Sequence, residues 1–281
     1  MTGRGEHPRQ MPGGPGILRR AAELALGPFV VRRRLPRSAG GGVLVVSAEV
    51  GGLRYVLKAS SQWDPGLLRC ARDLVGRGDV VWDVGANVGL FAAAAAYAAG
   101  PEGRVLAIEP DMDAVSLLNQ SVRRQSSRDA PIAILPVAVS RTSGFVRFSI
   151  ANRARSTNAI EGFGSSQTGG FRETRLLPAV ALDELLENFP APNVLKIDVE
   201  GAELDVLAGG RARVLTEARP AIYCEVGART AQSVNELLLD LEYETWDASG
   251  LGLPGLRREV SATTHNLVAM PREASRANDP S

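Results

Sequence analysis

Cysteine and histidine are scarce in this sequence, and their scarcity excludes two kinds of site. The 281 residues contain two cysteines, Cys70 and Cys224, and two histidines, His7 and His265. Two cysteines cannot form a disulfide framework or a cysteine metal cluster. His7 lies near the N-terminus, and His265 alone cannot build a histidine-based metal site. Lysine is equally rare, since only two of the 32 basic residues are lysine and the others are arginine.

Long apolar runs and net charge are also lacking. No run reaches the roughly 20 apolar residues that span a bilayer, and arginines interrupt the apolar stretch near the N-terminus, so it does not match a signal peptide. We therefore expect a cytoplasmic protein without a transmembrane segment. The formal net charge is +1, so charge gives no indication of a nucleic-acid partner. The length suits one large domain.

Composition and periodicity divide the chain into four predicted regions. Residues 1–16, rich in Gly, Pro and Arg, predict a disordered tail. Residues 17–63 predict an extension with a basic amphipathic helix over 17–35 and a β-hairpin over 43–58, turning at Gly51 and Gly52. That helix either caps the fold or faces a lipid or polymer surface. The main domain follows over 64–271, and 272–281 predict a loose tail.

Strands and helices alternate along the main domain, which predicts an α/β fold with a mostly parallel sheet covered on both faces. A polar stretch, Asn152–Glu173, interrupts the alternation, and a loop of this length is usually functional or disordered. The predicted strands are Val80–Val84, Val105–Glu109, Ile132–Val139, Val194–Val199, Ala221–Val226, Tyr243–Trp246 and Asn266–Met270. The predicted helices are Pro65–Val75, Gly89–Ala99, Met112–Gln125, Leu182–Asn188, one ending at Leu207, and Ala231–Leu241.

The turn after the first of these strands predicts a cofactor site. Asp83 ends the strand, and Gly85, Asn87 and Gly89 lie in the turn before the next helix. Glycine lets the backbone approach a ligand, and the helix that follows presents free N–H groups. The Gly-x-x-x-Gly spacing differs from that of dinucleotide binders. An aspartate here suits a cation such as S-adenosylmethionine, which has no phosphate, although a plain strand–turn–helix corner would look the same.

The ends of the next two strands extend the predicted cofactor site. Glu109, Pro110 and Asp111 follow the second strand, where an acidic side chain can accept hydrogen bonds from both ribose hydroxyls. Ala138, near the end of the third strand, is expected beside the adenine. A solvated acid at a strand end is the alternative for Glu109 alone, but its combination with the Asp83–Gly89 turn favours a ribose-bearing cofactor.

The fourth strand carries the charges that indicate chemistry. Lys196, Asp198 and Glu200 occupy alternate positions, which in a strand point to one face. Charges in a buried strand need partners or a cleft. Lysine in an arginine-rich chain suggests that a compact ammonium is required. The alternative is an internal ion network that only stabilises the sheet edge.

Together these motifs resemble the FkbM family of methyltransferases over roughly Asp64 to Met270. The run from Lys196 to Gly201 (Lys-Ile-Asp-Val-Glu-Gly) is the most specific part, supported by the Asp83–Gly89 turn and by Glu109-Pro110. The resemblance implies a class I methyltransferase fold, in which a Rossmann-like sheet of seven strands has an antiparallel last strand. It also implies S-adenosylmethionine as cofactor and methyl transfer, usually to a hydroxyl of a sugar, glycolipid or secondary metabolite.

A hydroxyl acceptor must lose its proton, so methyl transfer to it calls for a base. The candidates are Asp198, Glu200, Glu225 and His265, with Lys196 as the accompanying cation. In a metal-assisted alternative, the oxygen ligands of Mg²⁺ are Asp198, Glu200 and Glu225, and the metal would make the acceptor hydroxyl more acidic.

Two other functions remain open at this stage. A nicotinamide-dependent oxidoreductase would share the α/β sheet, but the glycine spacing disfavours it. A methyltransferase-like scaffold that binds without catalysis would share the motifs. The expected partner is a small-molecule or glycan acceptor and no nucleic acid, and the sequence does not indicate the acceptor's identity or the oligomeric state.

Overall fold

The computed structural model describes residues 29–151, 158–163, 171–250 and 257–272. Its strands are β1 (Val30–Arg34), β2 (Val43–Ser47), β3 (Val80–Val84), β4 (Arg104–Ile108), β5 (Ile132–Leu135), β6 (Ala138–Val139), β7 (Gly144–Ala151), β8 (Ala159–Ile160), β9 (Phe171–Val180), β10 (Val194–Ile197), β11 (Ala221–Glu225), β12 (Tyr243–Asp247) and β13 (Asn266–Pro271). Its α-helices are α1 (Leu53–Leu57), α2 (Pro65–Leu74), α3 (Leu90–Ala99), α4 (Met112–Val122), α5 (Leu182–Leu185), α6 (Glu203–Ala208) and α7 (Ala231–Asp240).

A seven-stranded sheet in the order β12-β13-β11-β10-β3-β4-β5 forms the centre of the protein. Strands β11, β10, β3, β4 and β5 run parallel, and β13 lies antiparallel between β11 and β12. The predicted class I sheet with an antiparallel last strand is therefore confirmed. The parallel strands bring their carboxyl ends to one edge, where ligands bind in open α/β sheets.

Apolar side chains on both faces of this sheet explain why the strands are buried. On one face Val81 and Val105 pack with α3 and the N-terminal region, and on the other Trp82 and Leu106 pack with α5 to α7. Alternate residues of a strand point to opposite faces, so each strand supplies both cores. The predicted strand and helix boundaries in this domain hold to within a few residues, apart from the differences described below.

The N-terminal extension corrects two predictions. Its hairpin pairs β1 with β2 rather than turning at the glycines near residue 51, because Gly40 and Gly41 adopt the positive φ that the actual turn needs. Gly52 instead precedes α1, and Val30–Arg34 is a strand rather than the end of a helix. Residues 17–28 of the predicted helix and the predicted tail 1–16 lie outside the described residues.

The extension shares its core with the methyltransferase-like domain. Leu44, Val45 and Val46 in β2 are buried, and the Val45 N–H donates to Ser121 Oγ of α4 at 2.8 Å. Trp63 is also buried and packs edge-on against Tyr55 of α1. Residues on both sides of position 64 therefore belong to one hydrophobic core.

A second sheet, in the order β6-β9-β7-β8, stands beside the central one. Its strands β8 and β9 occupy part of the stretch predicted to be a loop, Asn152–Glu173. Residues 152–157 and 164–170 of that loop lie outside the described residues, as do 273–281 of the predicted C-terminal tail. The predicted strand Ile132–Val139 is divided by Pro136, which has no N–H for a ladder, so its two halves join different sheets.

Within the described ranges, no helix combines the length and apolar character that crossing a membrane requires.

Candidate functional site

A cleft opens at the carboxyl edge of β3, β4 and β10. The central sheet forms one wall, and the second sheet forms the other through Phe148, Asn158 and Ile160. Four acids lie in its lining, whereas none of the described lining residues is lysine or arginine. The acids are Glu109, Asp111, Asp198 and Glu200.

The turn after β3 brings backbone and one amide side chain into the cleft. Gly85 has φ +76°, and a Cβ at this position would lie 1.8 Å from the carbonyl oxygen of Asp198, so only glycine fits. Asn87 has φ +51° and contributes a buried Oδ1 without a hydrogen-bond partner among the described residues. A buried acceptor of this kind suits a ligand that donates hydrogen bonds.

Glu109 lies at the floor of the cleft, one residue beyond β4. Its Oε2 accepts the Asn87 N–H at 2.7 Å and its Oε1 accepts the Asp111 N–H at 2.8 Å, which orients both oxygens. Burial raises the pKa of Glu109 to about 7, although these two backbone bonds oppose the rise. Each carboxylate oxygen has a further lone pair, so the group can still accept ligand hydroxyls.

Behind the cleft, the Lys196 ammonium lies close to two carboxylates, those of Asp83 and Asp198. Lys196 and Asp83 are direct neighbours in the β10–β3 pairing, and the Lys196 Nζ lies 3.0 Å from Asp83 Oδ1 and 3.5 Å from Asp198 Oδ2. Burial alone would lower the pKa of Lys196, but the charges of Asp83 and Asp198 raise it above its usual value. The ammonium also donates to the carbonyl oxygen of Gly85 at 2.7 Å, which holds the turn against β10.

Two further acids, Glu200 and Glu225, lie near Asp198. Burial raises the pKa of Glu200 to about 7, and repulsion from Asp198 adds to the rise. Glu225 ends β11 beside Asp198 and is exposed, yet repulsion from Asp198 raises its pKa well above that of an ordinary carboxyl group. One carboxylate and one protonated carboxyl can therefore lie side by side at this edge of the sheet.

The prediction that Lys196, Asp198 and Glu200 alternate along one strand needs a correction. Strand β10 ends at Ile197, so Lys196 is the one of these three charges that lies in the strand, and Glu200 has φ +54°, which is not a strand conformation. A turn rather than the strand brings Glu200 into the cleft lining.

The structure brings most of the predicted cofactor residues to the cleft and leaves two behind it. Asp83 is fully buried against Lys196, and Gly89 directly precedes α3, where a Cβ would lie 2.3 Å from Leu118 Cδ1. Lys196, Glu225 and His265 also lie outside the lining. His265 is exposed and precedes β13, next to the end of β11. The predicted residues that do line the cleft are Gly85, Asn87, Glu109, Pro110, Asp111, Ala138, Asp198 and Glu200.

The suggested Mg²⁺ site receives no support from the structure. Across the part of the chain that the structure describes, no group of three or more His, Cys, Asp or Glu side chains is arranged to hold a metal ion.

Several lining residues escaped the sequence prediction. Val50 comes from the N-terminal extension, and Phe148, Asn158 and Ile160 come from the second sheet. The alternation of Phe148 and Ile150 with polar neighbours in β7 could have predicted a strand there. No local pattern distinguishes Asn158, because it is placed by strand pairing between distant segments.

Comparisons with known proteins agree with the fold and its motifs. The family described as "Methyltransferase FkbM domain" matches residues 83–245. A curated relative, the hexuronic acid methyltransferase AglP of Haloferax volcanii, is 35% identical over 135 residues, which cover 47% of this chain and 49% of that protein. The chain thus spans about half the length of this curated relative.

Two solved methyltransferase structures are among those with similarity to parts of this chain. The methyltransferase FkbM from Methylobacillus flagellatus KT is 20% identical, with 68% of this chain and 43% of that chain covered and a TM-score of 0.46. A SAM-dependent O-methyltransferase from Thermotoga maritima is 15% identical, with 82% and 72% covered and a TM-score of 0.39. Because the family match covers more than half of its residues, this chain belongs to the FkbM family of methyltransferases.

Proposed function

We propose that this protein transfers the methyl group of S-adenosylmethionine to a hydroxyl oxygen of a sugar-containing acceptor. The observation that carries the proposal is the charge of the cleft, whose described lining has four acids and neither lysine nor arginine. Such a lining repels the pyrophosphate of a nicotinamide cofactor and attracts a cationic, phosphate-free one. Family membership supports the same reaction.

The residues present fit this cofactor. Glu109 would accept the ribose hydroxyls with its two oriented oxygens, and the buried Oδ1 of Asn87 offers an acceptor for an ammonium or hydroxyl. Apolar Ile108, Val139 and Phe148 provide a surface for the adenine. When bound, S-adenosylmethionine supplies an electrophilic methyl group on a positively charged sulfur.

The chain's own part in the reaction is to position the acceptor and to remove its proton. Asp198 suits the base, because its side chain is 30% exposed and so accessible from the cleft, and the Lys196 ammonium lies beside it. In the proposed transfer Asp198 would take the proton of the acceptor hydroxyl, and the bond from the methyl carbon to sulfur would break as the bond to the acceptor oxygen forms, which leaves S-adenosylhomocysteine as the second product. Glu225, whose pKa is raised by repulsion from Asp198, can exchange a proton with its neighbour and with solvent.

A sugar as acceptor is supported by the name of the curated relative, which acts on a hexuronic acid. The acids around Asp198 are also suited to sugar hydroxyls, since a carboxylate can accept two neighbouring hydroxyl groups at once.

Cofactor binding gives the first prediction. We expect S-adenosylhomocysteine to bind more tightly at pH 8 than at pH 6, because Glu109, with its pKa of about 7, accepts ribose hydroxyls best when ionised. The substitution Glu109→Gln should weaken binding about 10- to 100-fold at pH 8 and abolish the pH dependence. Isothermal titration calorimetry at both pH values measures this.

Glu200→Gln is the matched control, because Glu200 has a similarly raised pKa and lies in the same cleft. It should leave the pH dependence of binding in place. Binding of NADH in preference to S-adenosylhomocysteine would overturn the cofactor assignment in favour of an oxidoreductase.

The acceptor is tested by methyl transfer. With labelled S-adenosylmethionine and cell extracts containing free sugars, glycolipids and glycans, we expect label in an alkali-stable ether on a sugar, identified by mass. Label in an alkali-labile ester would assign a carboxyl oxygen instead. Tight S-adenosylhomocysteine binding without any labelled product would indicate a binding scaffold.

A further inference from the structure

The second sheet contributes residues to the proposed cofactor cleft from β8, a short strand at its edge. Strand β8 contains two residues, lies at the edge of its sheet and pairs with β7. Asn158 immediately precedes it, and both Asn158 and Ile160 line the cleft. A strand this short is held in place mainly by contacts outside its own ladder.

Asn158 provides such contacts, and it joins the two walls of the cleft. Its Oδ1 accepts the N–H of Ala151 at 2.8 Å, which ties it to the end of β7. Its Nδ2 donates to Asp111 Oδ2 at 2.8 Å, which ties it to the segment after β4. The side chain is buried, so both hydrogen bonds are shielded from water.

Asp111 is the fixed half of this contact. It is buried, its Oδ1 accepts the Asp113 N–H at 3.1 Å at the start of α4, and Arg175 of β9 lies 3.9 Å from the same oxygen. Asp111 also donates its own N–H to Glu109, the proposed ribose acceptor. Movement of Asp111 would therefore be transmitted to the cofactor site.

We propose that the Asp111–Asn158 hydrogen bond is a clasp that holds the second sheet over the cofactor, and that Asn158 is a positioning residue for cofactor binding. The inference rests on the proposed use of S-adenosylmethionine. The clasp contacts the chain on both sides of the cleft, whereas the acids proposed for proton transfer lie at the ends of β10 and β11. Its loss therefore affects cofactor affinity and leaves the chemical step intact.

Asn158→Asp tests the clasp most sharply, because it places a second carboxyl group 2.8 Å from that of Asp111 in a buried site. Repulsion should separate the two walls at pH 8. We expect S-adenosylhomocysteine to bind about tenfold more weakly, the KM for S-adenosylmethionine to rise by a similar factor, and kcat at saturation to change less than about twofold.

The exchanged pair, Asp111→Asn with Asn158→Asp, should restore binding. The amide then donates from position 111 to the carboxylate at 158, the Ala151 N–H keeps an oxygen acceptor, and asparagine still caps α4. Thermal unfolding of the unliganded variants controls for misfolding. Wild-type affinity in Asn158→Asp, or failure of the exchange to restore binding in a folded protein, would refute the clasp. Failure of the wild-type protein to bind S-adenosylhomocysteine would instead refute the proposed cofactor.

Discussion

Replacing Lys196 with methionine is expected to lower the free energy of unfolding by about 3–5 kcal/mol, the range for removing one partner of a buried ion pair. Methionine matches lysine in length but leaves the fully buried Asp83 without the ammonium 3.0 Å away. The thermal midpoint should fall by roughly 10 °C. Urea and thermal denaturation, followed by circular dichroism, measure both quantities.

Two companion variants make this result specific. Lys58→Met changes the only other lysine, which is exposed, and should alter stability by less than about 0.5 kcal/mol. The double variant Asp83→Asn, Lys196→Met removes the buried negative charge as well, so it should recover much of the lost stability. A Lys196→Met protein as stable as the wild type would show that Asp83 does not need its counter-ion.

The sequence prediction treated the Asp83 and Lys196 positions as parts of two different sites. Asp83, at the end of a predicted strand, is expected from the sequence to meet the cofactor, whereas Lys196, a rare lysine that alternates with Asp198 and Glu200, is expected to take part in the chemistry. The pairing of β3 with β10 instead makes them direct neighbours inside the sheet. Strand ends could be located from apolar periodicity, but which strands are adjacent depends on the order of the whole sheet.

The second wall of the cleft was beyond prediction for a different reason. The Gly85 turn and Glu109 follow the first two strands of one alternating strand–helix pattern, so their spacing predicted a shared cofactor site. Asn158 acquires its position from a hydrogen bond to a residue 47 positions earlier and from a two-residue strand. Contacts of that kind have no periodicity, and propensity alone indicated a polar loop.

Lys196 contacts one acid that matters for stability, Asp83, and one that we propose for the chemistry, Asp198. Lys196 forms a buried ion pair with Asp83, whereas Asp198, the second carboxylate near its ammonium, is partly exposed at the cleft. The same ammonium therefore contacts a buried structural partner and the residue that we propose as the base. Substitutions of Lys196 will therefore mix structural and catalytic effects, so the catalytic proposal is better tested at Asp198.

Asp198→Asn should lower kcat by about 10²- to 10⁴-fold, the usual contribution of a general base. Asparagine keeps the shape and the contact with the Lys196 ammonium but cannot take up the acceptor's proton. The affinity for S-adenosylhomocysteine should change far less than the rate, because Glu109 and Asn87 remain in place. Steady-state methyl transfer and calorimetry on the same preparation separate the two effects.

Asp205→Asn is the control for this prediction. Asp205 is likewise an aspartate paired with a cation, since its Oδ1 accepts from Arg141 at 2.7 Å, but it lies on α6 outside the cleft lining. Its substitution should leave kcat unchanged. If Asp198→Asn keeps near wild-type kcat while Glu225→Gln loses activity, Glu225 rather than Asp198 accepts the proton. If both variants and Glu200→Gln and His265→Ala remain active, none of these residues is the base.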